Sequence, residues 1–299
     1  MEQRPAIGFV GVGLMGHGMA RNIVEKGYGL TVIGHRNRAP IEDLVAHGAV
    51  EAASLQALAA ASDIVFLCLT SSVEVAAVVA QLTPGLRAGS VIVDCSTSEP
   101  TVTERLAADM AAIGVDFADA PLSRTPKEAA AGTLDCMVGA SPAVFDRIRP
   151  VIATWAAKIV HIGAVGDGHR MKLLNNFISL GYGALYAEAL TMAQKVGISV
   201  ATFDSVIRGG RMDCGFYQTF MGYALEGNRE AHRFTLTNAA KDLRYVEAMG
   251  NAAGVPTHLG SAIKNSFAGA VAAGGGGSED YVPHLVDFVG QAAGVKRGD

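Results

Sequence analysis

Cysteine is scarce in this chain: four thiols in 299 residues, at Cys68, Cys95, Cys136 and Cys214. They form no CxxC pair and no metal-like spacing, which excludes a disulfide scaffold and a zinc module. Three of them sit in apolar, strand-like runs, where a thiol behaves as a small buried hydrophobe. Charge is also sparse, at 17% of residues, and nearly balanced, with 24 basic against 28 acidic side chains. That balance offers no basic surface to nucleic acid or to an anionic membrane. There is no run of about 18 apolar residues, the length a helix needs to cross a bilayer. The opening MEQRPAIGFVG lacks the basic, apolar and small-residue regions of a secretory leader. A reducing, cytoplasmic setting is therefore expected.

Apolar residues and glycine are abundant. Half of the residues are hydrophobic, enough to bury a sizeable core and to exclude a disordered chain. A length of 299 residues points to two domains. The 36 glycines stand out, because each costs chain entropy on folding.

Two rhythms divide the chain. From Ala6 to Gly163, short apolar runs alternate with helix-like segments such as 15–27 and 101–113. The runs are AIGFV (6–10), LTVI (30–33), DIVFLCL (63–69), SVIVDC (90–95), DFADA (116–120), LDCMVG (134–139) and KIVHIG (158–163). They are continuous rather than alternating, as strands buried on both faces are. Beyond Gly168 no strand-like run occurs. Helical stretches are expected over 169–197, 201–208, 213–226, 237–253, 257–273 and 279–293, with Gly274–Gly277 as the loop between the last two. The predicted fold is α/β: a doubly wound Rossmann-type sheet over 1–165, joined by a long helix to an all-α domain over 166–299. The break falls near Gly163, Gly166 and Gly168.

Gly11, Gly13 and Gly16 stand in the order GxGxxG, with Leu14 and Met15 inside the same turn. The motif follows a strand, opens a helix, and a second strand comes one helix later, which is the context of a dinucleotide site. The first glycine permits the tight turn, the second lets backbone approach the pyrophosphate, and the third lets helix and strand pack closely. The phosphate would rest on the helix N-terminus. After the second strand the chain reads VIGHRNRAP (32–40), with no acid before Glu42. An acid there would bind the ribose 2′-OH of NAD, whereas arginine suits the 2′-phosphate of NADP. His35, Arg36, Asn37 and Arg38 therefore favour NADP over NAD.

Lys172, Asn175, Asn176 and Ser179 share one face of an otherwise apolar helix, away from Met171, Leu174, Ile178 and Leu185. A lysine poorly solvated at such a place can serve as a proton donor near neutral pH. His169, off that face, is expected at the surface. No His, Cys and Asp cluster has metal-ligand spacing.

The motifs GFVGVGLMGHGMARN (8–22), DCSTSEP (94–100), DAPLSRTPKEAAAGTLDCMVGA (119–140), GDGHRMKLLNN (166–176) and KDL (241–243) occur in the order found in the β-hydroxyacid dehydrogenases. The chain resembles that family, which includes relatives of 3-hydroxyisobutyrate and 6-phosphogluconate dehydrogenase, almost end to end. The resemblance implies that Lys172 is the catalytic acid/base and that Asn176, with Asn175 beside it, holds the substrate. It places Ser96 and Thr97 near the nicotinamide ribose, Leu69 and Thr70 beside the cofactor after the 63–69 run, and Lys241 on the cofactor from the helical domain. Where most of the family has SGG, this chain has Ser123-Arg124-Thr125, a variant that resembles the 3-sulfolactaldehyde reductases. An arginine fork and a hydroxyl in that turn suit a sulfonate or carboxylate. The other reading is that Arg124 pairs with Asp119 or Glu128 and shapes the loop.

The expected function is NAD(P)-dependent interconversion of a small anionic semialdehyde and its 3-hydroxyacid. Sulfolactaldehyde, tartronate semialdehyde and methylmalonate semialdehyde are the candidates. An imine reductase on the same scaffold and a non-catalytic nucleotide-binding module are the alternatives, and Lys172 with Asn176 argues against both. A largely apolar helical half suggests a homodimer or homotetramer.

Overall fold

The computed structural model describes residues 4–295. Nine strands form one sheet: β1 (Ile7–Val10), β2 (Leu30–Val32), β3 (Val50–Glu51), β4 (Ile64–Leu67), β5 (Val91–Asp94), β6 (Asp116–Asp119), β7 (Leu122–Ser123), β8 (Leu134–Gly139) and β9 (Ala156–Gly163). Between them lie α1 (Gly16–Glu25), α2 (Ala39–Ala46), α3 (Leu55–Ala60), α4 (Ser72–Leu82), α5 (Pro100–Ala111), α6 (Pro126–Ala131) and α7 (Pro142–Ile152). The strand order is β3-β2-β1-β4-β5-β6-β8-β7, with β9 paired to β8.

The order explains the apolar runs. Ile7 and Phe9 of β1, Ile64 and Phe66 of β4, and Val91 and Val93 of β5 enter one core. Their alternates Val10, Val65, Leu67 and Ile92 enter another. Successive residues point to opposite faces, so a strand with helices on both sides is apolar throughout.

Two expectations need correction. The sheet is parallel from β3 to β6, but β8 runs antiparallel to both β6 and β7. β9, expected to be buried on both faces, is largely exposed, since only β8 pairs with it. β3 and β7 escaped the sequence reading because two residues each leave no periodic signal.

Beyond the sheet the chain is helical: α8 (Asp167–Lys195), α9 (Val200–Ile207), α10 (Gly215–Ala224), α11 (Leu236–Ala252), α12 (His258–Ala272) and α13 (Leu285–Ala292). The single helix expected over 279–293 is instead a 3-10 turn at Val282–His284 followed by α13. Pro283 sits in that turn, where its missing N–H and fixed φ suit a helix start. A separate apolar core, built around Leu180, Leu190, Tyr217, Phe220, Leu243 and Phe267, holds this part together. Two compact units divide between Lys172 and Leu173, so the first turn of α8 belongs to the sheet unit. None of the described helices is long and apolar enough to cross a membrane.

Candidate active site

In a parallel sheet every strand delivers its C-terminal end to the same edge. Strand order reverses between β1 and β4, which makes that edge a crevice for ligands. Four of the predicted segments arrive there: Gly11–Gly16 after β1, His35–Arg38 after β2, Leu69 and Thr70 after β4, and Ser96 and Thr97 after β5, which ends at Asp94. The crossovers bring together residues up to 86 positions apart, 11 to 97.

The glycines of the first turn have different duties. Gly11 has φ 96°, and a Cβ there would lie 2.2 Å from the Cys68 carbonyl oxygen. A Cβ on Gly16 would lie 2.0 Å from the Gly11 oxygen, so both are demanded by the fold itself. A Cβ on Gly13 would meet no protein atom within 4 Å. No side chain caps the N-terminus of α1, and its first turn holds no acid. Such an end presents positive potential to an anion. These residues fit a dinucleotide pyrophosphate. The Cys68 thiol beside the turn is pushed up to about 12 by burial and by the charge of Asp94, so it stays protonated.

The two arginines after β2 differ. Arg38 grips Glu51 through both terminal nitrogens, at 2.6 and 2.8 Å, and holds that carboxyl below its ordinary value. Arg36 is exposed and makes no ion pair among the described residues. Asn37 closes a local turn, its Oδ1 accepting the Ala39 N–H at 3.2 Å.

Hydrogen bonds tie the loops after β4 and β5 together. The Leu69 N–H donates to Ser96 Oγ at 2.9 Å, and the Ser96 N–H donates to Asp94 Oδ1 at 2.9 Å. Ser98 Oγ donates to the other Asp94 oxygen at 2.7 Å.

The 123–125 turn opens α6, which packs on α1 closely enough that a Cβ on Gly18 would lie 2.6 Å from the Ala129 carbonyl carbon. Thr125 is the N-cap of α6 and forms a reciprocal capping box with Glu128. Its hydroxyl, expected to serve a substrate anion, is engaged there, and the bond holds the Glu128 carboxyl below its ordinary value. Arg124 has φ 89°, a left-handed backbone normally left to glycine. Its Nε lies 3.1 Å from Asp135 Oδ2, so its ion-pair partner is Asp135 rather than Asp119, while its charge also helps hold the Glu128 carboxyl down.

His169 is not at the surface. It is fully buried, with Nε2 3.1 Å from the Ser96 carbonyl and Nδ1 2.8 Å from Thr103 Oγ1. Asp119 accepts the backbone N–H of Gly166 and of His169, both at 2.6 Å. Burial pushes this carboxyl up, against the pull of His169. Helical periodicity assumes one solvated face, but the first turn of α8 is enclosed by the sheet unit. Asp94 and Asp119 were also missed, although each opens one of the motifs quoted above.

Lys172, three residues after His169, is half-buried. Met171, Leu174, Ile178 and Leu185 are exposed rather than packed. In the helical unit Asn176 is buried and donates from Nδ2 to Asp242 Oδ2 at 2.7 Å. Lys241 Nζ lies 3.1 Å from the other Asp242 oxygen, so these two residues share one buried carboxylate. Asn175 is exposed and reaches Asn176 Oδ1 at 3.4 Å. Asp242, the middle of the KDL motif, was missed as their anchor. No group of three or more His, Cys, Asp or Glu among the described residues could hold a metal ion.

Comparison with known proteins places the chain in a family. Residues 6–163 match the NAD binding domain of 6-phosphogluconate dehydrogenase. Residues 166–284 match the NAD-binding family of NADP-dependent 3-hydroxyisobutyrate dehydrogenase. The chain is 34% identical to 2-(hydroxymethyl)glutarate dehydrogenase of Eubacterium barkeri, over 92% of each chain. It is 30% identical to 3-sulfolactaldehyde reductase of Escherichia coli, over 91% of this chain and 92% of that one. The structure of Mycobacterium tuberculosis 3-hydroxyisobutyrate dehydrogenase superposes with a TM-score of 0.86 at 27% identity, covering 96% of this chain and 99% of that one. The chain therefore belongs to the β-hydroxyacid dehydrogenases of the 3-hydroxyisobutyrate dehydrogenase type, NAD(P)-dependent oxidoreductases of hydroxyacids and their semialdehydes.

Proposed function

We propose that this enzyme reduces a small anionic semialdehyde to its 3-hydroxyacid with NADPH, and that Lys172 is the acid/base. The observation that carries the substrate class is the backbone of Arg124. A non-glycine residue at φ 89° costs on the order of 1–2 kcal/mol. Its pairing with Asp135 is half-exposed and contributes roughly 0–1 kcal/mol, too little to explain an arginine kept in a strained position. A sulfonate or carboxylate would give Arg124 a stronger, charge-assisted partner. The relatives' names include a sulfonate and a dicarboxylate, so both kinds of acid end belong in the test.

Gly11–Gly16, with Leu14 and Met15, would hold the pyrophosphate, and Arg36 the 2′-phosphate. Leu69, Thr70 and Thr97 would flank the nicotinamide side, and Lys241 is a further candidate for a cofactor contact. When bound, the nicotinamide supplies the hydride. Lys172 gives a proton to the oxygen that gains charge and, in the oxidative direction, takes it back. Ser96 and Ser123 lie on the substrate side, and Asn175 and Asn176 orient the substrate. Asp242 fixes the amide of Asn176 by accepting from Nδ2.

A panel of sulfolactaldehyde, tartronate semialdehyde and methylmalonate semialdehyde, followed through NADPH oxidation, tests this directly. At least one supports turnover, and Lys172→Ala lowers kcat by about three orders of magnitude or more, within the range of general acid catalysis plus charge stabilisation. Turnover unchanged in Lys172→Ala would remove the lysine from the mechanism.

The reading includes a homodimer or homotetramer and, with all four cysteines unpaired, a reducing cytoplasmic setting. Met171, Leu174, Ile178, Tyr182, Leu185 and Met192 are between 38% and 62% exposed along α8. They recur at close to 3.5 residues, the period of a helix seam that pairs with another helix. Light scattering gives a multimer mass for wild type and a smaller species for Leu185→Glu.

A further inference from the structure

We propose that His169 is a positioning residue that sets the place of Lys172 relative to the loops after β4 and β5. The inference rests on the reading of Lys172 as the acid/base. His169 does not touch the reacting atoms; it acts through the helix that carries the lysine.

Three anchors hold it. Its backbone N–H donates to Asp119 Oδ2 at 2.6 Å, at the end of β6. Its Nε2 lies 3.1 Å from the Ser96 carbonyl, and a carbonyl only accepts, so Nε2 carries the proton. Its Nδ1 faces Thr103 Oγ1 of α5 at 2.8 Å. Thr103 Oγ1 also lies 3.2 Å from the Glu99 carbonyl, so its hydroxyl can turn to meet either form of the ring. The carboxylates of Asp94 and Asp119 flank the imidazole at 3.8 Å on opposite sides.

The Ser96 contact continues outward. Ser96 Oγ accepts the Leu69 N–H at 2.9 Å, so Leu69, Ser96 and His169 form one chain of contacts from the β4 loop to the first turn of α8. Helical rise is about 1.5 Å per residue, which leaves Lys172 less than one turn beyond the anchored residue. A helix start held at a buried side chain and at a buried carboxylate has little freedom to slide or rotate. At the next residue Arg170 adds an outer tie to Glu104 and Asp167. A buried histidine with both ring nitrogens engaged is a costly way to fill a core, since an unmatched ring nitrogen loses a full hydrogen bond. Leucine would fill similar space without polar partners.

The test compares wild type with His169→Leu, His169→Gln and Thr103→Val, each checked for folding by thermal melt. One readout needs no substrate: acetylation of Lys172 by acetic anhydride, measured by mass spectrometry against the exposed Lys26. His169→Leu changes that ratio at least threefold. His169→Gln, whose amide can still donate to the Ser96 carbonyl, stays within twofold of wild type. The second readout is turnover of tartronate semialdehyde with NADPH: His169→Leu lowers kcat at least tenfold and leaves the KM for NADPH within threefold. A folded His169→Leu with both the labelling ratio and kcat within twofold of wild type overturns the proposal. If that variant does not fold, Thr103→Val decides, because it removes the Nδ1 partner, along with that hydroxyl's contact to the Glu99 carbonyl, and leaves the Ser96 and Asp119 anchors of His169 in place: a change of at least twofold in the labelling ratio supports the proposal, and no change overturns it. Lys172→Ala separates the two claims. Full activity there sinks the acid/base reading, while the labelling ratio in the histidine variants still reports on positioning.

Discussion

Arg124 sits with φ 89° and places Nε 3.1 Å from Asp135 Oδ2. The contact makes no hydrogen bond, and the buried Asp135 Oδ1 accepts none from any described residue. An arginine so loosely paired, on a backbone suited to glycine, can exchange its partner for an incoming anion at little loss. Arg124→Gly should therefore separate stability from affinity. Removing the strained Cβ raises stability by about 1 kcal/mol, or roughly 2–4 °C in Tm. Losing a charged hydrogen bond of about 1.5–3 kcal/mol raises the KM for the semialdehyde on the order of 10- to 100-fold. Thermal melts and initial rates read the two effects, and an unchanged KM would show that the anion binds elsewhere.

Gly13 and Gly16 are expected to fail differently. At Gly13 a Cβ meets no protein atom within 4 Å, whereas at Gly16 it would lie 2.0 Å from a backbone oxygen. Gly13→Ala should leave the Tm of the cofactor-free enzyme within about 2 °C, since any change comes mainly through the unfolded chain. It should weaken NADPH binding about tenfold or more by blocking backbone approach. Gly16→Ala should lower stability by several kcal/mol, because backbone must move. Fluorescence titration with NADPH alongside thermal melts distinguishes them; equal loss of stability in both variants would refute the division of roles.

Arg36 and Arg38 should not be equivalent. Glu51 already holds Arg38 at two points, while Arg36 is exposed after β2. Arg36→Ala is expected to raise the KM for NADPH on the order of tenfold or more and to leave that for NADH within about twofold, as the loss of a charged hydrogen bond to phosphate requires. Arg38→Ala should change the same ratio less than about threefold, its pair being exposed and weak. A reversed ranking would move the phosphate contact to Arg38.

Glu128 should give the 123–125 turn a pH-dependent brace. Its carboxyl lies below the ordinary glutamate value of 4.5, first because the Thr125 hydroxyl donates to it. A lowered folded value means that the unfolded chain binds the proton more readily, so the stabilisation is full above 4.5 and disappears as pH falls through the folded value. Glu128→Ala is expected to cost about 1 kcal/mol at neutral pH. Tm measured from pH 7 to pH 3 should show wild type and variant converging at the acid end. Curves that stay parallel would mean that the carboxylate adds nothing to the cap.

Much of the sheet unit was legible because its signals are local. A strand covered on both faces must be apolar at every position, and β1, β4 and β5 are. A phosphate turn needs glycine at fixed spacing, and Gly11, Gly13 and Gly16 supply it. The elements that escaped were short or were edges: β3 and β7 are two residues each, and β9 is apolar without being buried. Pro283 is visible in the sequence, yet only the backbone shows that it divides a 3-10 turn from α13.

Local stretches of sequence specify the chemistry on offer: a dinucleotide turn, a pair of arginines where an acid would select NAD, and a lysine and asparagines on a helix. Each depends on residues close together in the chain. Which of those side chains are already engaged depends on the folded chain. It gave Arg38 to Glu51, Thr125 to Glu128 and Asn176 to Asp242, and it buried His169 between Asp94 and Asp119. The His169 contacts cross 50 to 75 positions in the chain, and Asn176 and Asp242 are 66 apart. Helical and strand periods carry no information about a partner on another element, so pairings at that separation exist only once the strands have delivered their loops to one edge and the helices have packed.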